Sequence, residues 1–298
     1  MTTSGPSDIV AFRRALRRAS PGLRRDLPWL NDPRPWAILV SEVMLQQTST
    51  SRVKEPWARF LGLFPTPRAC ADSPLSTVLV AWSGLGYPRR AKALHDAATL
   101  IRDDFAGVVP ERVDDLLRLP GVGRYTAHAV ASFAFAQPVA VLDTNVGRVL
   151  ARALVNAPLG RVEAQRLADE LLPARDSASF NQAMLDLGAQ YCRAAPKCES
   201  CPVQRHCAWQ RSGGSDPAPL SAAVSRPQAP YAGSNRELRG RALRLLHDVP
   251  RSKQYLVRRL AIGTDRANEI LAGLVRDGLV AKTGRSYALS EGRDPTLA

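Results

Sequence analysis

Apolar residues recur at helical intervals through most of residues 1–208. Leu75, Val78, Leu79 and Trp82 share one face, as do Leu94, Ala97, Ala98 and Ile101, and then Val113, Leu116 and Leu117. Short turn signals separate the runs: Phe64-Pro65-Thr66, Gly84-Leu85-Gly86 and Leu119-Pro120-Gly121. Asp72-Ser73-Pro74 reads as a helix start, with Ser73 capping and Pro74 at the first helical position. No alternating strand pattern of any length interrupts this region, so 1–208 is predicted to be a mostly α domain. Residues 209–234 are rich in Gly, Ser, Pro and Ala and read as a flexible linker. The pattern resumes at Asn235. Leu238, Ala242, Leu245, Leu246 and Val249 fit one helix face. Leu256 and Leu260, then Ile270, Leu271, Leu274 and Val275, fit two more. "DGLVAKTGRSYALS" then predicts a turn, a short strand, a basic loop and a second strand. Residues 235–298 thus have the outline of a small winged-helix-like module.

One position breaks the pattern. Glu42 stands between the apolar runs Trp36-Ala37-Ile38-Leu39-Val40 and Val43-Met44-Leu45, and Gln46-Gln47-Thr48 close the segment. Buried carboxylates are rare unless they are paired or used.

Charge and apolar runs narrow the partners. The formal net charge of +14 favours a polyanion such as nucleic acid, although a generally arginine-rich chain would give the same balance. No uninterrupted apolar run reaches membrane-spanning length, and the first 36 residues hold no hydrophobic signal segment. A cytoplasmic protein with no membrane partner is expected.

Three further motifs carry chemistry. In "LPGVGRYTAHAVASFAF", Gly121 and Gly123 form a tight turn and a helix starts near Tyr125. Such a turn presents backbone N–H groups at a helix N-terminus, where a phosphate can bind without the base being read; an ordinary helical corner would look the same. In "VLDTNVGRVLAR", Asp143 precedes a helix carrying Val146, Val149 and Leu150. It reads as an N-cap, and a carboxylate held by helix N–H groups stays ionised. In "YCRAAPKCESCPVQRHC", Cys192, Cys198, Cys201 and Cys207 are spaced for a metal site rather than for disulfides, either tetrahedral zinc or [4Fe–4S]. Cys70 stands apart and reads as a small core residue.

Together these residues resemble the helix-hairpin-helix base-excision glycosylases, the endonuclease III-like superfamily. Ser41 to Thr48, Trp82-Ser83-Gly84-Leu85-Gly86-Tyr87 and Phe180 to Gly188 point further, to the adenine DNA glycosylases (the MutY family). The likeness runs from about residue 10 to residue 208. It implies a two-lobed, mostly α fold with a [4Fe–4S] loop over 192–207, held by the four cysteines. It also implies a monomer acting on double-stranded DNA that contains an adenine mispair, at the nucleoid if the cell is bacterial. By that resemblance the counterpart of Glu42 protonates the adenine and helps to handle the attacking water, and burial would raise its pKa as such an acid requires. The counterpart of Asp143 stabilises the positive charge on the sugar, with Tyr125 and Asn145 orienting these groups. Gln46, Gln47 and Thr48 correspond to residues facing the opened duplex. Tyr87 corresponds to a stacking or wedge residue, and Gly121, Gly123 and Arg124 to the phosphate-binding turn. Bifunctional relatives place a lysine nucleophile just after that turn. Here the chain reads Gly123-Arg124-Tyr125, which implies a monofunctional enzyme without efficient strand cleavage.

The chain departs from the family pattern in several places. The first cysteine interval is one residue short, Leu30 follows Pro28-Trp29 where a polar base contact is common, Pro88 follows Tyr87 where a second aromatic is common, and His128 replaces a small residue. No Nudix-like domain, the usual reader of 8-oxoguanine, is visible. The expected activity is excision of adenine opposite 8-oxoguanine or guanine. Two alternatives remain: a mismatch glycosylase removing T or U opposite G, or a non-catalytic DNA-binding protein with a structural cluster.

Overall fold

A computed structural model describes residues 6–221, 224 and 230–292. Helices dominate it. In chain order they are α1 (Pro6–Leu23), α2 (Pro35–Leu45), α3 (Thr50–Leu63), α4 (Pro67–Ala71), α5 (Leu75–Ala81), α6 (Arg89–Asp104), α7 (Val113–Leu116), α8 (Arg124–Phe135), α9 (Thr144–Val149), α10 (Arg161–Leu171), α11 (Ser177–Gln190), α12 (Ala208–Ser212), α13 (Asn235–Leu245), α14 (Lys253–Leu260) and α15 (Thr264–Arg276). The strands are β1 (Arg251–Ser252), β2 (Val280–Thr283) and β3 (Ser286–Leu289), all in the C-terminal region. No helix among the described residues is long and apolar enough to cross a membrane.

The chain divides into two compact units that do not follow sequence order. One holds residues 1–33 and 123–228, and the other holds 34–122 and 229–298. In the first unit α1 packs on α11, α11 packs on α9, and a core of Phe12, Leu16, Val149, Leu150, Leu154 and Met184 fills the interior. α9 runs directly into a wider π-helical turn, Leu150–Val155.

The second unit is built around α2. Pro35 suits its first position, where no intrahelical N–H bond is lost. Every residue from Trp36 to Met44 is buried, so α2 has no polar face. Two tryptophan N–H groups tie the surrounding chain, Trp36 Nε1 to the Phe64 carbonyl and Trp57 Nε1 to the Ala37 carbonyl, both at 2.9 Å. Cys70 is fully buried, as expected, and burial pushes its thiol up to about 12.

Ser73 does not cap α5. Its hydroxyl donates back to the Ala69 carbonyl, and Pro74 is the N-cap. The first helical N–H, that of Leu75, donates instead to the Glu291 carbonyl at 3.1 Å, and the Ser76 hydroxyl donates to the Glu291 carboxylate at 2.9 Å. A cap read from adjacent residues is thus supplied from the far end of the chain, which satisfies the same orphan donor.

The C-terminal elements follow the predicted order, with one addition. β2 and β3 form the expected antiparallel hairpin, and β1 adds to β3 to give the order β1-β3-β2. A two-residue strand is too short to show a period of two. The expected linker, 209–234, falls partly outside the described residues. Part of what is described of it is packed: α12 spans its start, Ala218 and Ser221 are buried, and the Leu159 N–H donates to the Ser221 hydroxyl, while residues 210–215 are exposed.

Candidate active site

In the second unit the sequence-predicted residues gather at the C-terminal end of α2 and the N-terminal end of α6. Glu42 is 5% exposed, the one carboxylate of the buried Trp36–Met44 stretch of α2. After α2 the chain turns sharply. Gln47 adopts a left-handed conformation with φ +57°, and Tyr87 does the same with φ +49° in the loop before α6. Non-glycine residues pay strain there, and such positions persist where surrounding structure fixes them.

Arg90 does the fixing. Its Nη1 donates to the carbonyls of Val43, Met44 and Gln46, at 2.9, 2.8 and 2.6 Å. Its Nη2 donates to the Thr48 hydroxyl and to the carbonyls of Leu85 and Gly86, at 3.0, 3.3 and 3.1 Å. The guanidinium also lies 5.3 Å from the Tyr87 ring and 5.4 Å from the Trp82 ring. Burial pulls its pKa down to about 10, so it remains charged at neutral pH. One cation therefore couples the Gln46–Thr48 turn to the Tyr87 loop. Sequence reasoning missed it. A signal existed, since Arg89 and Arg90 open α6 where the helix dipole disfavours cations.

Gln47 is exposed, Gln46 and Tyr87 are half-buried, and Thr48 is buried with its hydroxyl taken by Arg90. Thr48 is therefore a support for the turn rather than a residue open to a partner. The Gln46 side chain reaches the Gly121 carbonyl at 3.2 Å. Gly121 has φ +78°, and a Cβ there would stand 2.7 Å from that of Ala93, so only glycine fits.

In the first unit Gly123 is the N-cap of α8 with an extended φ of −92° and open space around it, so of the two glycines of the turn only Gly121 is left-handed. Arg124 is exposed and Tyr125 is half-buried against the core of this unit. His128 spends Nδ1 on the Ala140 carbonyl, at 2.9 Å.

Asp143 caps α9 as expected. Its Oδ1 accepts from the Val146 N–H at 2.8 Å, and its Oδ2 accepts from the Asn145 amide at 2.6 Å. Burial pushes its carboxyl above the ordinary aspartate range, against the pull of the Val146 N–H, Asn145 and the Arg148 charge. The cap works as predicted, but desolvation outweighs it. The chain entering the cap is held by Asn181, which donates to the Ser132 hydroxyl and the Val139 carbonyl and accepts from the Val141 N–H.

Arg148, also unforeseen, extends the network. It donates to the Asn145 side-chain oxygen at 2.6 Å, to the Cys192 carbonyl at 2.7 Å and to the Gly188 carbonyl at 3.2 Å. Gly188 is required by proximity, since a Cβ there would meet Asn145 at 2.6 Å. The Phe180–Gly188 segment thus supports Asp143 from α11.

Cys192, Cys198, Cys201 and Cys207 all line one cavity with Val149, Ala153, Leu187, Val203 and Trp209, and none is in a disulfide. Among the described residues no three His, Cys, Asp or Glu side chains converge as a single-ion site. Arg152, 1% exposed, clamps the loop: it donates to the Cys192 sulfur at 3.4 Å and the Arg193 carbonyl at 2.6 Å. Its other edge makes a bidentate pair with Asp216, at 2.8 and 2.6 Å, and it lies 5.4 Å from the Trp209 ring. Burial raises all four thiols, Cys201 to about 11. Thiolates there call for a positively charged centre to stabilise them.

The chain is similar to known proteins both in sequence and in fold. Residues 40–174 match the family described as HhH-GPD superfamily base excision DNA repair protein. The chain is 44% identical over 286 residues to an adenine DNA glycosylase of Mycobacterium tuberculosis, covering 90% of each. It is 42% identical over 281 residues to that of Mycolicibacterium smegmatis, covering 90% of this chain and 93% of that one. Among solved structures, a thermostable thymine-DNA glycosylase aligns with a TM-score of 0.64 at 28% identity, over 69% of this chain and 97% of that one. A trapped endonuclease III–DNA covalent intermediate aligns with a TM-score of 0.61 at 25% identity, over 69% and 96%.

Proposed function

The chain belongs to the adenine DNA glycosylases of the HhH-GPD superfamily, and we propose that it removes adenine mispaired with 8-oxoguanine or guanine from double-stranded DNA. It is a DNA N-glycosylase of base excision repair. The observation that carries the substrate reading is Glu42, a carboxyl buried on an apolar helix in a chain whose relatives are named for adenine removal.

In this reading two carboxyl groups divide the task. Glu42 donates its proton to the departing adenine as the bond from the sugar C1′ to N9 breaks and the electron pair leaves with the base. Asp143 remains an anion and stabilises the positive charge left on the sugar. Water adds at C1′ and its proton returns to the Glu42 carboxylate. Asn145 and Tyr125 orient these groups. Gln46 and Gln47 face the opened pair, Tyr87 supports the distorted duplex, and the Gly121–Arg124 turn takes a phosphate. Extruding a base costs a few kcal/mol, and residues that fill the vacated space offset part of it. No amine follows the turn, so the product is an abasic site in an intact strand. Incubation with an A:8-oxoguanine duplex is expected to release free adenine, with strand scission only after alkali. Scission without alkali would refute the monofunctional assignment.

The raised pKa of Asp143 gives a pH test. A carboxylate-dependent activity is lost as pH falls through that pKa. Asn145 favours the ionised form, so Asn145→Ala should raise the pKa further. The acid limb of the single-turnover pH–rate profile is expected to move to higher pH. An unmoved limb would mean that another group sets it.

The four cysteines are assigned to a [4Fe–4S] cluster. All four line one cavity of the first unit, and membership of the adenine DNA glycosylases favours the cluster over a single zinc. When bound, the cluster supplies a structural centre that neutralises the four thiolates. The reading calls for close to four iron and four sulfide per chain, and stoichiometric zinc would replace it. The C-terminal region is assigned as a winged helix, supported by its helix order and its β1-β3-β2 sheet.

A further inference from the structure

The C-terminal module is unusually basic. Residues 235–289 hold twelve Arg and Lys against five Asp and Glu, a net +7. That is half of the chain's +14 in under a fifth of its length. Arg244, Arg258, Arg259, Arg276, Lys282 and Arg285 are all exposed, and none of them forms an ion pair among the described residues. Register adds local detail. Arg251 and Lys282 both stand opposite the buried Tyr287, on the two sides of β3, and so flank the packed face of the sheet, while Arg285 lies exposed at the hairpin tip. A fold does not need uncompensated charge of one sign; self-repulsion works against compactness.

The module is also fastened to the loop that holds Tyr87. Arg236 donates from Nη1 to the Tyr87 hydroxyl, and its guanidinium lies 5.3 Å from the Tyr87 ring and 5.2 Å from the Tyr231 ring. Asp277 pairs with both Arg89, at the start of α6, and Arg239 of the module. The Glu291 carbonyl takes the first N–H of α5. Through Arg90, the Tyr87 loop is fixed in turn to the Gln46–Thr48 turn. Module and loop thus form one piece within the second unit.

We propose that the C-terminal module is a second DNA-binding surface. It takes the phosphate backbone of duplex flanking the mispair, independently of sequence, through its exposed arginines and lysines. The inference rests on the reading that the Tyr87 loop meets DNA. Duplex carries one negative charge per about 1.7 Å of axis and continues past the mispair in both directions. A basic module anchored on that loop is therefore placed where flanking phosphates run. Contacts of this kind position the protein and carry no sequence information.

The test uses the full-length protein and a duplex of A opposite 8-oxoguanine, with a 2′-fluorine on the target nucleotide to block cleavage. Binding is measured against salt for wild type, for R258A/R259A/R285A, and for R161A/R166A/R175A. The last removes equal charge from the other unit and controls for net charge. Each phosphate contact contributes about 0.9 to the slope of log K against log salt. The first variant is therefore expected to show a slope shallower by roughly 2 to 3, with affinity down about tenfold or more near physiological salt. The control should match wild type, and unchanged thermal unfolding of both variants shows that they fold. A slope that matches wild type, or that changes equally in both variants, overturns the proposal and points to another acidic partner for this face. Adenine release by wild type from the unblocked duplex is scored separately, so failure of the glycosylase reading is distinguishable from failure of this one.

Discussion

Glu42→Gln is expected to abolish adenine release while leaving duplex binding intact. The substitution keeps side-chain volume and polarity but removes the transferable proton. The site lies on α2, where Trp36 to Met44 are all buried, so solvent is poorly placed to deliver that proton instead. General acid catalysis contributes about 10²- to 10⁴-fold. The single-turnover rate should therefore fall about a thousandfold, a barrier increase of about 4 kcal/mol. Binding to the A:8-oxoguanine duplex should stay within a few-fold of wild type. A rate within tenfold of wild type would remove Glu42 from the chemistry.

The second large effect belongs to Asp143→Asn. Asparagine caps helices about as well as aspartate, and its oxygen can keep the bond from the Val146 N–H. Folding should therefore survive. Two things change at the other side-chain atom. The negative charge disappears, and an NH₂ group now meets the Asn145 amide, itself the donor at 2.6 Å in the native protein. The variant should bind lesion duplex yet turn over at least tenfold more slowly, a barrier increase of about 1.4 kcal/mol or more. Near-normal turnover would refute a charge-stabilising role. The Asn145 and Arg148 bonds matter here because they hold the carboxylate in place from behind.

These predictions rest on residues whose chemistry showed in the sequence. An acid interrupting an apolar run is visible without coordinates, as is an aspartate before a helical pattern or four clustered cysteines. Helix spacing likewise placed α5, α6 and α15, and the β2–β3 hairpin followed from its turn and basic loop. The supports were not visible. Arg90, Arg148 and Arg152 act through backbone carbonyls of distant segments, and in a chain this rich in arginine nothing local marks them out. The cap of α5 comes from Glu291, 215 residues away from its partner Ser76. Composition alone made 209–234 look like a linker, because it registers Gly, Ser and Pro but not that Asp216 pairs with a buried arginine. Unit boundaries were equally hidden, since the C-terminal module groups with residues 34–122 rather than standing apart. Local pattern carried the elements and the reactive groups; long-range polar contacts decided how they are held.

Base choice is the most direct test of adenine excision by this protein. A thymine-DNA glycosylase is among the similar structures, so specificity for adenine is the claim with most at stake. The iron-loaded protein is incubated with duplexes carrying A:8-oxoguanine, A:G, T:G or U:G, each labelled on both strands, and then treated with alkali. Cleavage is expected at adenine in the first two duplexes and nowhere else. Cleavage at thymine or uracil, or of no duplex, would contradict that expectation.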